Sequence, residues 1–199
     1  MVLNAIYEED FRGFSYGFRP KRSQHDALDA LIVGITTTKV NWILEVDIRS
    51  FFDEVSRKRR GLGKPETFDF LGFTLVCGNS RRGRFLLKRR SRRDRMKAKL
   101  QDVSNELRCR MHQSIPEQGK WLKQVVTGYF AYHAVPTNSA ALVTFRDQIV
   151  ARWRWVLRRR SQKGALTWAR MKKLADDWLP KPQILHPWPN QRFAVKHPR

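Results

Sequence analysis

SRRDRMKAKLQDVSNELRCRM, residues 91–111, decides the fold. Its apolar residues Met96, Leu100, Val103, Leu107 and Met111 recur at spacings of 4, 3, 4 and 4, which traces one stripe along an α-helix. The opposite face is largely basic, so such a helix can pack on a core and hold a polyanion at once.

The same helical spacing continues downstream. Gln118 to His133 offers Trp121, Val125, Tyr129 and Tyr132 or His133 as one side of a helix, and Pro136, Thr137 and Asn138 mark a break. Ala141, Phe145, Ile149, Trp153 and Val156 then share a face of a helix ending in the arginines 158–160. Those arginines complement the negative end of the helix dipole, but three are more than the dipole calls for. A shorter helix spans Thr167 to Trp178, and the Pro-rich tail LPKPQILHPWPNQRF (179–193) reads as extended and docked by Ile184, Leu185 and Trp188.

Upstream the pattern changes. Phe68, Phe70 and Leu71 start a strand in TFDFLGFTL, and Arg84 to Lys88 return after the turn GNSRRG, a two-stranded unit. Gly61, Gly63 and Pro65 break the chain before it. The run 42–48 reads as a buried strand, and Ser23 as the N-cap of a helix through His25, Leu28, Leu31, Ile32 and Ile35. The fold class is therefore α+β, mainly α.

Charge separates the chain into two parts. Residues 1–56 hold 6 Lys and Arg against 9 Asp and Glu, whereas residues 57–199 hold 34 against 9. Residues 57–113 alone carry 18 bases and 5 acids, with runs RKRR at 57–60, RRGR at 81–84 and KRRSRRDR at 88–95. A net charge of +22 repels itself in a compact fold, and solvated faces ordinarily mix signs, so nucleic acid is the indicated partner.

Other chemistries find no pattern. Cys77 and Cys109 stand alone, without zinc spacing or a disulfide framework. The five histidines show no H-E-x-x-H spacing, and GLGKP at 61–65 lacks the glycine spacing and the following Ser or Thr of a phosphate loop. No run of about 18 apolar residues occurs, and MVLNAIYEEDF carries acids where a signal peptide carries bases. A cytoplasmic protein without a membrane partner is expected.

FSYGFRPKRSQHDAL (14–28) followed by VNWILEVDIRSFFDEVS (40–56) resembles the fingers and first palm motif of the reverse transcriptase encoded by bacterial group II introns. GKPETFDFLGFT (63–74) resembles that family's last palm motif. VVTGYFAYHAVPTNSAAL (125–142), LTWARMKKLADDWLP (166–180) and ILHPWPNQRFAV (184–195) resemble its maturase domain. The resemblance implies a fingers and palm remnant over 1–56, a last palm motif with a strand hairpin over 57–90, and a helical thumb and maturase domain over 91–199.

The same resemblance implies residue roles. Asp47 takes the place of the first metal-binding aspartate, a hard oxygen ligand for Mg²⁺. Phe52 takes the place of the ring that excludes a ribose 2′-hydroxyl, and Arg19, Lys21 and Arg22 lie in the fingers loop that approaches template and nucleotide. The family's Y-x-D-D turn, which carries the second metal site, does not occur, and the chain jumps from Ser56 to Gly63 over most of the palm. Asp176–Asp177 sits on a helix, where adjacent side chains diverge, and reads as a surface or capping pair. A lone Asp47 cannot clamp two metal ions about 4 Å apart.

The expectation is a maturase-like protein that binds group II intron RNA and assists splicing, of RNA-directed DNA polymerase ancestry but without polymerase activity alone. Arg92, Arg93, Lys97, Arg152, Arg158, Arg159 and Arg160 are the candidate phosphate contacts. Tyr129 or Trp153 are candidate platforms for unpaired bases, although periodicity favours the core for Trp153. A DNA target or cDNA is a further implied partner. The alternatives are a polymerase fragment completed by a second polypeptide, and a non-functional decay product.

Overall fold

A computed structural model describes residues 16, 22–37, 67–80, 82–160 and 166–196. The expected strand 42–48, together with Arg19, Lys21, Asp47 and Phe52, lies outside the described residues. The described chain is mainly helical, with one three-stranded antiparallel sheet. It divides into two compact units, one of residues 1–71, 75–88 and 188–199, the other of 72–74 and 89–187.

In the first unit, α1 (Gln24–Thr37) begins as its sequence directs. Ser23 Oγ accepts the Asp26 N–H at 3.2 Å and the Asp26 carboxylate accepts the Ser23 N–H at 2.8 Å, a reciprocal cap at the helix start. Its inner face supplies Leu28 and Ile32, and Ile32 joins Leu75 and Leu87 of the sheet in a small apolar cluster. A last helix, α6 (Pro189–Lys196), packs along α1 through a buried ion pair, Arg192 Nε to Asp29 Oδ2 at 3.2 Å.

The sheet has strands β1 (Thr67–Phe70), β2 (Phe73–Asn79) and β3 (Phe85–Ser91) in that order. The expected two-stranded unit is thus three-stranded, because TFDFLGFTL folds back on itself. Leu71 (φ 44°) and Gly72 (φ 77°) form a two-residue turn with both central residues left-handed, the form that matches strand twist. Glycine adopts that conformation freely and leucine does not.

The second unit is a layer of four helices, α2 (Arg93–Cys109), α3 (Ile115–His133), α4 (Ser139–Arg159) and α5 (Trp168–Trp178). The stripe expected on α2 is the buried one, with Leu100, Val103 and Leu107 facing Leu122, Val126, Phe145, Ile149 and Trp153. α3 starts at Ile115, three residues ahead of the expected Gln118, under a capping box in which Ser114 and Glu117 bond each other's backbone N–H.

One buried side chain sets the α2–α3 corner. Gln118, with 0% exposure, donates from Nε2 to Arg110 O at 2.8 Å and accepts the Trp153 Nε1–H at 2.8 Å. Gly119 beside it lets α5 approach, since a methyl there would meet Trp178 Cδ2 at 2.5 Å. The α3–α4 corner is pinned to the end of β3. Asn138 accepts from Ser91 N at 2.9 Å and donates to Ser91 Oγ and His133 O at 2.8 Å each. Thr137 beside it holds φ at 76°, a strained conformation for a β-branched residue, with its hydroxyl accepting from Arg89 N at 2.9 Å.

The tail corrects two expectations. Residues 189–196 are helical, not extended, because Pro189 stands in the first turn, where a missing N–H costs nothing. Ile184, Leu185 and Trp188 are exposed at 42, 58 and 48% and do not dock it. Polar bonds do so instead: Leu185 and His186 N–H both donate to Ala134 O, at 2.9 and 3.1 Å, and the His186 side chain donates from Nε2 to Ala131 O at 2.7 Å.

Candidate nucleic-acid interface

The second unit concentrates positive charge. Residues 89–187 hold 22 Lys and Arg against 7 Asp and Glu. An α-helix turns by about 100° per residue, so the apolar stripe of α2 leaves a basic edge on each side. Arg93, Lys97 and Arg108 fall on one edge, and Arg95, Lys99 and Arg110 on the other.

The first edge meets α4. Trp155 is 44% exposed, with the Arg108 guanidinium 5.4 Å and the Arg159 guanidinium 4.6 Å from its ring centre. Arg158, Arg159 and Arg160 are all exposed at the end of the same helix. Arg93, Lys97, Arg158 and Arg160 make no ion pair with a described residue. A second indole, Trp168, is exposed under the Arg154 guanidinium at 4.4 Å. Arginine stacked on an exposed indole gives a flat cationic and aromatic surface, the composition that meets phosphate and base together.

The second edge overlooks a cleft against α3. Arg95 and Lys99 stand on one wall, and Trp121, Gln124, Val125, Gly128, Tyr129, Tyr132 and His133 form the floor and other wall of a cavity of about 580 Å³. Arg110 covers the Trp121 ring at 5.1 Å. Tyr132 stacks on Phe73 at 5.6 Å, while His133 lies on Tyr129 at 4.2 Å and has its Nδ1 3.1 Å from Ser91 Oγ. Burial raises the Tyr129 and Tyr132 hydroxyls above the ordinary tyrosine value, a shift that nearby Ser91 opposes at Tyr129. Both rings therefore stay neutral at physiological pH.

Several expected contacts are otherwise engaged. Arg92 forms an ion pair with Asp94 at 2.6 Å. Arg152 donates to Gln148 O at 3.0 Å and Gln148 Oε1 at 2.6 Å, and partial burial lowers its pKa. Arg22, in the first unit, lies over the Tyr16 ring at 5.3 Å. Tyr129 and Trp153, the expected stacking platforms, are 8% and 0% exposed, so neither ring offers a free face. Trp155, on the same helix as Trp153, is the indole there that reaches solvent. Its signal was its offset from the buried stripe: Trp155 stands two residues beyond Trp153, about 200° round the helix.

The acidic pair on α5 is taken up in part by an arginine. Asp176 accepts from Arg146 Nη2 at 2.8 Å, and Arg146 also bonds Ala175 O and Pro180 O, closing the end of that helix. Among the described residues no group of three or more His, Cys, Asp and Glu could hold a metal ion. Nor is any described helix long and apolar enough to cross a membrane.

Two known proteins resemble parts of the chain. Protein YkfC of Escherichia coli (strain K12) is 33% identical over 88 residues, covering 40% of this chain and 23% of its own. An uncharacterized 91 kDa protein in cob intron of Schizosaccharomyces pombe (strain 972) is 42% identical over 55 residues, covering 28% of this chain and 7% of its own. The chain thus spans less than a quarter of the length of either. No family model and no solved structure matches it. Over part of its length, then, this chain is similar to a protein in an intron.

Proposed function

We propose that the chain is a maturase-like RNA-binding protein that grips group II intron RNA through its helical unit and leaves the splicing chemistry to the RNA. The observation that carries this reading is the exposed Trp155 with the Arg108 and Arg159 guanidiniums over its ring, beside cations that no described acid neutralises. Partial similarity to a protein in cob intron supports it. The arginines of this face neutralise phosphates and release counterions, and the exposed Trp155 adds aromatic surface beside them.

Polymerisation is not part of the proposal. Asp47 has no second carboxylate motif downstream, and Asp176 is committed to Arg146. Asp47→Ala should accordingly leave RNA binding unchanged.

The test is affinity of the full chain for its intron RNA against an unrelated structured RNA at about 0.2 M salt, where nonspecific phosphate contacts fade. A clear preference for the intron RNA is expected. Replacing Arg108 and Arg159 together by Ala should flatten the dependence of log affinity on log salt by about 2. Equal binding of the two RNAs would sink the reading.

A further inference from the structure

The cleft between α2 and α3 lies on the other edge of α2 from the Trp155 face, and its walls differ in kind. Arg95 and Lys99, one helical turn apart on α2, are its charged groups, apart from the titratable His133 and tyrosine rings of α3. No acid lines it. Along α3 the lining residues Trp121, Val125, Gly128 and Tyr132 follow one another at helical spacing. Trp121 and Tyr132 are eleven residues apart, about 16 Å along the axis. That length exceeds a single base.

Gly128 is the informative position. Glycine within a helix costs roughly 1 kcal/mol relative to alanine, and nothing lies within 4 Å of where its Cβ would stand. Packing against α2 or any other described element does not require it. Its effect is to keep the middle of the cleft open between the two aromatic residues. The pattern differs from Gly119 on the same helix, where Trp178 fills the space.

We propose that this cleft is a binding site for a short unpaired stretch of RNA. Its bases lie along the α3 wall against Trp121 and Tyr132 and across Gly128, and its phosphates face Arg95 and Lys99. Gln124 presents an amide to base edges from the same wall. Duplex RNA hides its base faces in the stack and cannot use the aromatic wall, so the site discriminates single strands. The inference deepens the RNA-binding reading above and rests on it for the choice of RNA, although the site occupies a different face of α2.

The experiment compares the full chain with Gly128→Leu, whose side chain grows into empty space, and with Arg95→Glu/Lys99→Glu at exposed positions. The probes are a labelled eight-nucleotide single-stranded RNA and a duplex RNA of about 16 base pairs, read by fluorescence anisotropy at about 0.15 M salt. Gly128→Leu should weaken single-strand binding about tenfold, the loss of roughly one stacked base, and leave duplex affinity within about twofold. The double charge reversal should also weaken single-strand binding more than duplex binding, which guards against a local effect of leucine. Circular dichroism melts confirm that each variant is folded.

Unchanged single-strand affinity in Gly128→Leu, or an equal loss for duplex and single strand, overturns the proposal. In that event a preference for intron RNA that depends on Arg108 and Arg159 leaves the earlier reading standing. Conversely, selective loss in Gly128→Leu without any preference for intron RNA supports the cleft and removes that reading.

Discussion

The interior of the helical unit and its outer faces use the same residue types at neighbouring positions for opposite ends. Trp153 is buried and hydrogen-bonded to Gln118, whereas Trp155, two residues on, is exposed with two guanidiniums over its ring. Arg146 closes the end of α5, whereas Arg158 and Arg160 have no acidic partner among the described residues. Gly119 admits a neighbouring ring and Gly128 admits nothing. Residue type does not separate buried from solvent-facing positions here. Register around each helix does, because 100° per residue moves a side chain from core to solvent in two steps.

The tryptophan pair should show the largest contrast. Trp153→Ala opens a cavity at a fully buried site and strips Gln118 of its donor, and should lower unfolding free energy by about 4 kcal/mol in a denaturant titration. Trp155→Ala should change stability by no more than about 0.5 kcal/mol yet weaken binding of unpaired RNA severalfold. Comparable stability losses in the two variants would erase the distinction between the faces.

Next come the arginines. Arg146→Ala leaves the Pro180 carbonyl and the Asp176 carboxylate without their arginine donor and the Ala175 carbonyl with the Leu179 N–H alone, and should cost about 2 kcal/mol in the same titration. Arg158→Ala should leave the midpoint almost unmoved while reducing the salt dependence of RNA binding by about 1. Reversed effects would mean that the two arginines have been assigned to the wrong regions.

The glycines should differ in sign. Gly119→Ala forces a methyl against Trp178 and should destabilise by about 1–2 kcal/mol despite alanine's better helix propensity. Gly128→Ala meets no atom and should stabilise by up to about 1 kcal/mol. Thermal melts of both variants decide it, and stabilisation by Gly119→Ala would show that α5 does not approach as closely as the structure has it.

How far sequence reading reached follows the same division. Regular periodicity made the buried stripe of α2, the helix containing Phe145 and Trp153, and the Ser23 cap legible, because each depends on neighbours along the chain. The Leu71–Gly72 turn was not legible, since leucine gives no signal of positive φ. Pro189 was misread because a proline that opens a helix looks, in isolation, like one that prevents it. SIPE at 114–117 carried a capping-box signature that fixes the start of α3 and was overlooked. The basic character of the candidate interface was plain, but which arginines are spoken for depends on partners distant in sequence, as Arg146 and Asp176 are.

That capping box supplies the smallest effect and a pH test. The Glu117 carboxylate accepts from both Ser114 N and Ser114 Oγ at 2.8 Å, and these bonds hold its pKa below the ordinary 4.5. A carboxyl depressed in the folded state contributes stability that is complete above its unfolded value and is lost as pH falls through the folded one. Acidification below about pH 4.5 should therefore loosen the first turn of α3, seen as faster exchange of the Ser114 amide hydrogen. Asp94 is also depressed, chiefly by Arg92, so acid alone does not identify the responsible group. Glu117→Gln separates them: it removes the acid response at Ser114 and leaves that at Asp94. Because the box lies on the exposed side of the helix, the Trp153 indole should stay bonded to Gln118 throughout. Loss of that interior bond in the same pH range would show that the outer face and the core do not yield independently.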